Sequence, residues 1–197
     1  MWKVSERIIM KIAITGTIGS GKSTVSDYIR KKGYEVFDCD KVNANLLEKG
    51  NLGYVAVKYA FPDVFDGDNL NKSKLANIVF NSNSSKALLE DILHPLILSK
   101  MNRVSKNTDI FFAEVPLLFE KNWDKYFDVN ILVSTNDEIA LKRLVDRGLN
   151  LKDARNRLKN QYSNEDKALR ANEIIYNNGS LDSLYKEIDK ILEKYVG

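Results

Sequence analysis

One stretch of this sequence has the residue types and the spacing of a phosphate-binding loop, or P-loop. Residues 16–23 read G-T-I-G-S-G-K-S, which fits the pattern G-x-x-x-x-G-K-[ST]. Glycines let such a loop turn tightly and bring successive backbone N–H groups close to an anion. Lys22 would add a charge for the β- and γ-phosphates, and the Ser23 hydroxyl would bind Mg²⁺. The pattern therefore predicts a site for a nucleoside triphosphate.

The sequence around this loop predicts the strand and the helix that must hold it. Ile8 to Thr15 is an apolar run that leads into the loop, and helical periodicity continues after the loop as far as Lys32. Gly33 then supplies a stop signal. A strand–loop–helix unit is the context in which this pattern binds phosphate, although a glycine-rich turn that binds nothing has the same local order.

Further apolar segments alternate with helical ones and predict an α/β fold. A parallel sheet of five strands flanked by helices follows from this alternation. The four later strands are expected at 34–37, 109–115, 127–133 and 173–176, and helices are expected at 136–147, 151–169 and 181–195. We expect residues 1–197 to form a single P-loop kinase domain, because its two extra segments resemble those of small-molecule kinases. The predicted segments are a core at about 8–40, 107–135 and 171–197, a helical acceptor-binding insert at about 41–106, and a helical lid at about 143–170.

The composition of the chain narrows its class. Its 197 residues are 44% hydrophobic, enough for one sizeable core, and the net charge is only +3. No basic groove with interleaved aromatic residues is evident, so neither a nucleic-acid partner nor an obligate protein partner is expected. The single cysteine, Cys39, excludes an internal disulfide. Without an apolar run of membrane-spanning length or a signal peptide, a cytoplasmic protein is expected, and Met10 is a candidate natural start.

Two acidic residues end the second predicted strand. Asp38 and Asp40 flank Cys39 directly after the strand at 34–37. In open α/β sheets ligands bind beyond the carboxyl ends of the strands, so a carboxylate here can orient an acceptor hydroxyl and take its proton during phosphoryl transfer. Strand alternation would send both side chains to one face. A helix N-cap or a solvated turn is the alternative interpretation of the same residues.

Several motifs together resemble the dephospho-coenzyme A kinase family. That family has a P-loop ending in K-S-T, then D-x-D after a short strand, H-P, P-L-L-F-E, an arginine-rich lid and a closing A-x-x-x-I-x-N-x-G. The corresponding segments occur in the same order and cover nearly all of residues 10–190; they are 15–24, 38–40, 94–95, 116–120, 143–161 and 171–179. The P-loop is generic, whereas the combination of D-x-D, H-P and P-L-L-F-E is specific to the family.

The resemblance implies a reaction and its site residues. The family transfers the γ-phosphate of ATP, with Mg²⁺, to the ribose 3′-hydroxyl of dephospho-CoA, the last step of coenzyme A biosynthesis. By resemblance Lys22 is catalytic, Asp40 orients or deprotonates the hydroxyl, and Arg147 is the lid arginine that stabilises the transferring group. The residues implied to bind ATP, with Ser23 as the metal ligand, are Gly16, Thr17, Ile18, Gly19, Ser20, Gly21, Lys22, Ser23, Thr24 and Arg143. Those implied to bind dephospho-CoA are Asp38, Asp40, His94, Pro116, Leu117, Leu118 and Glu120.

Structural explanations remain open for some of these residues. Arg143 and Arg147 are also compatible with exposed charges on a helix, and His94 lies in an apolar helical pattern where a hydrogen-bonded structural histidine is common. Residues 117–119 are equally compatible with core packing at a strand end. Glu114 either reaches Mg²⁺ through water or is a satisfied buried carboxylate.

The chain departs from the family pattern at three positions. Thr17 replaces a usual glycine, Lys72 replaces a usual arginine after Asn71, and Asn172 replaces a usual aspartate. Lysine cannot make the bidentate contact of arginine, and an amide carries no charge, so any role that needs either feature is in doubt.

Three other functions compete with the one that the resemblance implies. A kinase of the same architecture that acts on a nucleoside monophosphate or another small alcohol is the nearest of them. A nucleic-acid-binding ATPase would need a basic groove with interleaved aromatic residues, which the sequence does not show. A guanine-nucleotide switch would need the sequence N-K-x-D, but residues 71–74 read N-K-S-K and do not follow a strand.

Overall fold

The computed structural model describes residues 9–197, and five of the strands in this range form one parallel sheet. In chain order the strands are β1 Met10–Thr15, β2 Val36–Asp38, β3 Phe65–Asp66, β4 Asn69–Leu70, β5 Ile110–Glu114, β6 Val129–Ser134 and β7 Glu173–Tyr176. The sheet order is β2-β5-β1-β6-β7, and every neighbouring pair is parallel. The predicted α/β fold is therefore confirmed. Residues 1–8, which include Ile8 at the start of the predicted first strand, lie outside the described residues.

The helices of the described range begin mostly at residues that can cap them. They are α1 Lys22–Lys31, α2 Cys39–Leu46, α3 Leu52–Ala60, α4 Lys72–Asn81, α5 Asn83–Ser105, α6 Asp137–Asp146, α7 Leu151–Lys159, α8 Asn164–Ala168 and α9 Leu181–Val196. A side-chain oxygen accepts a backbone N–H from three residues further on at five helix starts, which are Asn71, Ser82, Asn150, Ser163 and Ser180. No helix among residues 9–197 is both long enough and apolar enough to span a bilayer.

The core of the first compact unit surrounds the central strand. This unit comprises the chain up to Asp38 and from Thr108 onward. Ile12 and Ile14 of β1 are fully buried, and apolar residues of α1 and α9 join the same cluster. In α9 those residues recur at 184, 188, 191 and 192, the spacing of one helical face. Burial of each such side chain contributes about 1.5–3 kcal/mol, so this cluster fixes the sheet that carries the P-loop.

The second compact unit is Cys39–Asn107 and has a separate core. Helix α5 packs against α2, α3 and α4, and Val57, Phe61, Leu75 and Leu93 are buried together. The antiparallel pair β3–β4 is a hairpin of two residues a side around the Asp66-Gly67-Asp68 turn. Both short strands lie within the segment at about 41–106 that the sequence predicted to be a helical insert. The organisation of the whole chain as one domain with an insert stays a prediction.

Two local expectations are wrong. Strand alternation does not apply to Asp40, because β2 ends at Asp38 and α2 begins at Cys39. Asp40 lies in the first turn of α2, where the helix dipole favours a carboxylate. The helix expected at 151–169 is two helices, α7 and α8, because Ser163 and Asp166 form a capping box that starts a new helix.

Candidate active site

The predicted P-loop joins β1 to α1, and other segments of the chain pack closely against it. Gly19 and Gly21 have φ of +82° and +97°, which L side chains rarely adopt. A Cβ at Gly19 would lie 2.8 Å from the carbonyl oxygen of Ala140, and one at Gly21 would collide with Nδ2 of Asn177. These glycines are therefore required both by the turn and by the close approach of α6 and of the residue after β7.

Lys22 is the first residue of α1 and is almost fully buried. Its Nζ donates hydrogen bonds of 3.0 Å to the carbonyl oxygens of Gly16 and Thr17. These contacts hold the ammonium group against the loop itself, where its charge can act on a phosphate bound by the loop N–H groups.

A hydroxyl and a carboxylate meet at the start of α1. Ser23 Oγ donates a hydrogen bond of 3.2 Å to Oε1 of Glu114, a buried residue at the end of β5. Glu114 is in register with Asp38 on β2, and Thr24 follows in the first turn of α1. Oxygen ligands of this kind suit Mg²⁺. Among residues 9–197 no group of three or more His, Cys, Asp or Glu side chains could hold a metal ion.

Arg143 of α6 contacts the P-loop directly. Its Nη1 donates to the carbonyl oxygens of Gly19 and Ser20, both at 3.3 Å, and its Nη2 donates to the carbonyl oxygen of Asn177 at 3.1 Å. Partial burial, and then the charge of Arg147, lower the pKa of the Arg143 guanidinium. Arg147 follows α6 and is exposed. Two neighbouring cations beside a phosphate loop create a local field that favours an anion.

Asn177 links the end of β7 to the P-loop. It is buried, and its Nδ2 donates a hydrogen bond of 2.7 Å to the carbonyl oxygen of Ser20. The family motif quoted from the sequence contains this asparagine, but the sequence gives no sign that it contacts the loop.

The segment after α7 contacts the P-loop from another side. Oε1 of Gln161 accepts a hydrogen bond of 2.8 Å from the backbone N–H of Ile18. A polar cavity of about 720 Å³ lies beside this contact and is lined by Thr17, Gln161 and residues of β6, α6, α7 and α8. Gln161 lies within the predicted lid, but the sequence did not assign it to the site.

The residues of the P-L-L-F-E segment have different environments. The carbonyl oxygen of Pro116 accepts from Thr15 Oγ1 at 3.3 Å. Leu118 and Phe119 have no exposed surface, which is core packing, so among residues 117–119 only Leu117 offers surface to solvent.

Glu120 belongs to a buried ion pair. Its Oε1 accepts from Lys167 Nζ at 2.6 Å and from the backbone N–H of Tyr162 at 3.0 Å. Lys167 has no exposed surface. Burial lowers the pKa of its ammonium group, and the contact with Glu120 opposes that shift. This pair fastens α8 to the loop after β5; no sequence motif indicated Lys167.

The remaining predicted residues belong to the second unit or to the departures from the family pattern. Asp40 lies in α2, and His94 lies half-buried within α5, directly before Pro95. Lys72 is the first residue of α4, after its cap. Asn172 Oδ1 accepts from the backbone N–H of Asn130 at 2.8 Å, a bond for which an amide oxygen suffices without charge.

Comparison with known proteins gives one consistent result. A sequence model of the family described as dephospho-CoA kinase matches residues 10–183. A protein named dephospho-CoA kinase from Fusobacterium nucleatum subsp. nucleatum is 34% identical over 189 residues, which cover 94% of this chain and 98% of that protein.

Solved structures agree with the sequence comparison. A crystal structure of a Thermus thermophilus protein superposes with a TM-score of 0.87 at 33% identity, covering 96% of this chain and 100% of that one. Dephospho-CoA kinase from Campylobacter jejuni has a TM-score of 0.69 at 28% identity, covering 93% of this chain and 96% of that one. Both alignments extend over the P-loop unit and the Cys39–Asn107 unit together.

Proposed function

Since this chain belongs to the dephospho-CoA kinase family, we propose that it transfers the γ-phosphoryl group of ATP to the ribose 3′-hydroxyl of dephospho-CoA. The products are coenzyme A and ADP. The observation that carries the proposal is the P-loop with Lys22 fixed on its carbonyl oxygens, combined with a family match over nearly the whole chain. The reaction needs a small-molecule acceptor and is assigned to the cytoplasm, which is compatible with a sequence whose single cysteine, Cys39, is buried.

The P-loop unit supplies the groups that would hold ATP and Mg²⁺. Loop N–H groups and Lys22 suit the β- and γ-phosphates, and the Ser23 hydroxyl, with Glu114 behind it, suits the cation. The cation would neutralise charge on the phosphates. Arg143 braces the loop, and Arg147, an exposed cation directly after the helix that carries Arg143, is assigned to the transferring group by its match to the family's lid arginine.

Asp40 is assigned to the acceptor. A carboxylate in the first turn of the helix that directly follows β2 lies just after the carboxyl end of a strand, where α/β sheets bind ligands. It would orient the 3′-hydroxyl and take its proton as the bond from phosphorus to the bridging oxygen of ADP breaks. His94, Leu117 and Glu120 keep their assignment to the acceptor as proposals.

Replacement of Asp40 separates this assignment from a structural one. Asp40→Asn keeps the size of the side chain but removes the base, so we expect kcat to fall by about 10²–10⁴-fold with little change in the Kd for ATP. Steady-state kinetics and nucleotide titration measure the two quantities. Asp91→Asn, an exposed carboxylate of α5, is the matched control. Loss of ATP binding with normal turnover at saturation would contradict the assignment.

Product analysis tests the function itself. The purified protein is incubated with Mg-ATP and dephospho-CoA, and the acceptor is followed by mass spectrometry, with adenosine monophosphate and adenosine in parallel. A gain of one phosphoryl group on dephospho-CoA alone supports the proposal. Transfer to adenosine monophosphate but not to dephospho-CoA would keep a P-loop kinase and reject the proposed acceptor.

A further inference from the structure

Gln161 joins two segments that are far apart in the sequence. Its Oε1 accepts from the N–H of Ile18, 143 residues earlier, at 2.8 Å. A backbone N–H only donates, so the amide oxygen and not the amide nitrogen must face it. Ile18 is the third residue of the P-loop pattern. One N–H of the loop is therefore held by a side chain of the segment that follows α7.

The chain on the two sides of Gln161 is held very differently. On the carboxyl side, Tyr162 N–H is bound to Glu120, and Asn164 Nδ2 donates to the carbonyl oxygen of Thr135 at 2.9 Å. On the amino side, only Ala154 among the residues of α7 is buried. Gln161 thus lies where an anchored segment meets an exposed, basic helix.

This position lets one contact fix both the loop and the helix. If the Ile18 N–H bond is lost, the P-loop loses a support at its third residue, and α7 loses its attachment to the loop. The brace of Arg143 and Asn177 acts on Gly19 and Ser20, so it does not replace that support.

We propose that Gln161 is a positioning residue for phosphoryl transfer, and this inference rests on the proposed function. By holding the Ile18 N–H, it keeps α7 against the P-loop, so that the γ-phosphoryl group goes to the acceptor alcohol and not to water. Closure of such segments over a phosphate excludes water and aligns the reacting groups. Gln161 acts through the loop and touches neither reacting group.

Two substitutions isolate the amide oxygen. Gln161→Met keeps the length of the side chain but removes the acceptor, whereas Gln161→Glu keeps an acceptor oxygen. Lys152→Met, on the exposed side of α7, is the control. Formation of ADP and of coenzyme A is measured together under saturating Mg-ATP and dephospho-CoA.

For Gln161→Met we expect kcat for coenzyme A formation to fall about tenfold, within the range known for misplaced reactants, and the ratio of ADP to coenzyme A to rise above one. The KM for dephospho-CoA should stay unchanged. Gln161→Glu and Lys152→Met should keep a ratio near one. Wild-type kcat and ratio in Gln161→Met, or equal uncoupling in Gln161→Glu, would overturn the proposal.

Amide hydrogen exchange at Ile18 tests the contact without any turnover. Exchange should be faster in Gln161→Met than in the wild type and Gln161→Glu, and unchanged exchange would overturn the proposal. If the wild type forms no coenzyme A, the proposed function fails, while the exchange result still decides whether Gln161 holds the loop.

Discussion

Two ion-pair clusters of similar geometry have opposite surroundings. In the P-loop unit Lys167 has no exposed surface and donates to Glu120 at 2.6 Å. In the Cys39–Asn107 unit the Asp68 side chain is 59% exposed and accepts from Lys49 and Lys58 at 2.8 and 2.7 Å. The distances alone do not distinguish the two clusters.

The difference in exposure decides what each cluster contributes. Water screens the Asp68 cluster and competes with its hydrogen bonds, so such pairs contribute little to stability. A buried charge has lost its hydration, and removal of its partner leaves that cost uncompensated. The buried pair of Lys167 and Glu120 therefore fixes local geometry in the P-loop unit, whereas the exposed Asp68 cluster contributes little to the stability of its hairpin turn.

Lys22 gives the largest expected effect, because it is buried and lies within the site. Lys22→Ala should lower kcat by about 10²-fold or more, as does loss of one preorganised charge-stabilising donor, and should weaken ATP binding as well. Nucleotide titration and the coenzyme A assay measure both effects. A fully active Lys22→Ala protein would contradict the P-loop assignment.

Lys167 gives the next largest expected effect, which is a loss of stability. Lys167→Met leaves the Glu120 carboxylate buried without its cation, so we expect the free energy of unfolding to fall by about 3 kcal/mol, within the range for broken buried pairs. Denaturant unfolding measures it.

A double variant shows whether the charge itself causes the loss. Glu120→Gln with Lys167→Met removes both charges and should lose less stability than Lys167→Met alone. The contrast between buried and exposed charges would fail if Lys167→Met lowered the free energy of unfolding no more than Lys159→Met, which replaces an exposed lysine of α7.

Asp68 gives the smallest effect, visible only in acid. Contacts with Lys49 and Lys58 lower the pKa of Asp68 from 3.8 to about 2. A carboxyl group whose pKa is lower in the folded state than in the unfolded state stabilises the fold at pH values above its unfolded pKa. That stability is lost as the pH falls from about 4 to 2. The Tm difference between wild type and Asp68→Asn should be small at pH 7 and vanish near pH 2. Asp63→Asn, exposed in the same unit, is the control; a large loss at pH 7 would show that exposure does not decide the energetics.

Sequence patterns predicted the features that are set by residues close to one another in the sequence. Apolar runs located all five strands of the main sheet, and the spacing of 16–23 located the P-loop, because both signals are local. The start of α2 at Cys39 was missed, although Asp40 in its first turn is a helix-start signal. Ser163 and Asp166 also carried a local signal, a capping box that divides the predicted helix at 151–169.

Contacts between distant segments were beyond the sequence patterns. Gln161, Lys167 and Asn177 each bind a group more than 40 residues away, and their residue types are common on surfaces. Lys167 and Asn177 are buried and Gln161 is half-buried, and the positions of their partners depend on the whole fold. The roles of Asp40, His94 and Arg147 stay predictions.

The hydrogen bond from Asn177 to Ser20 joins two segments that the ribosome synthesises at different times. The two residues are 157 positions apart, and β1, which leads into the P-loop, pairs with strands that begin at Ile110 and Val129. A ribosome therefore releases the loop before the residues that brace it. During synthesis the emerging loop lacks the contacts that shape it, and long-range pairings of this kind form slowly. A chain cut before Asn177 would retain every letter of the P-loop pattern and lack the brace.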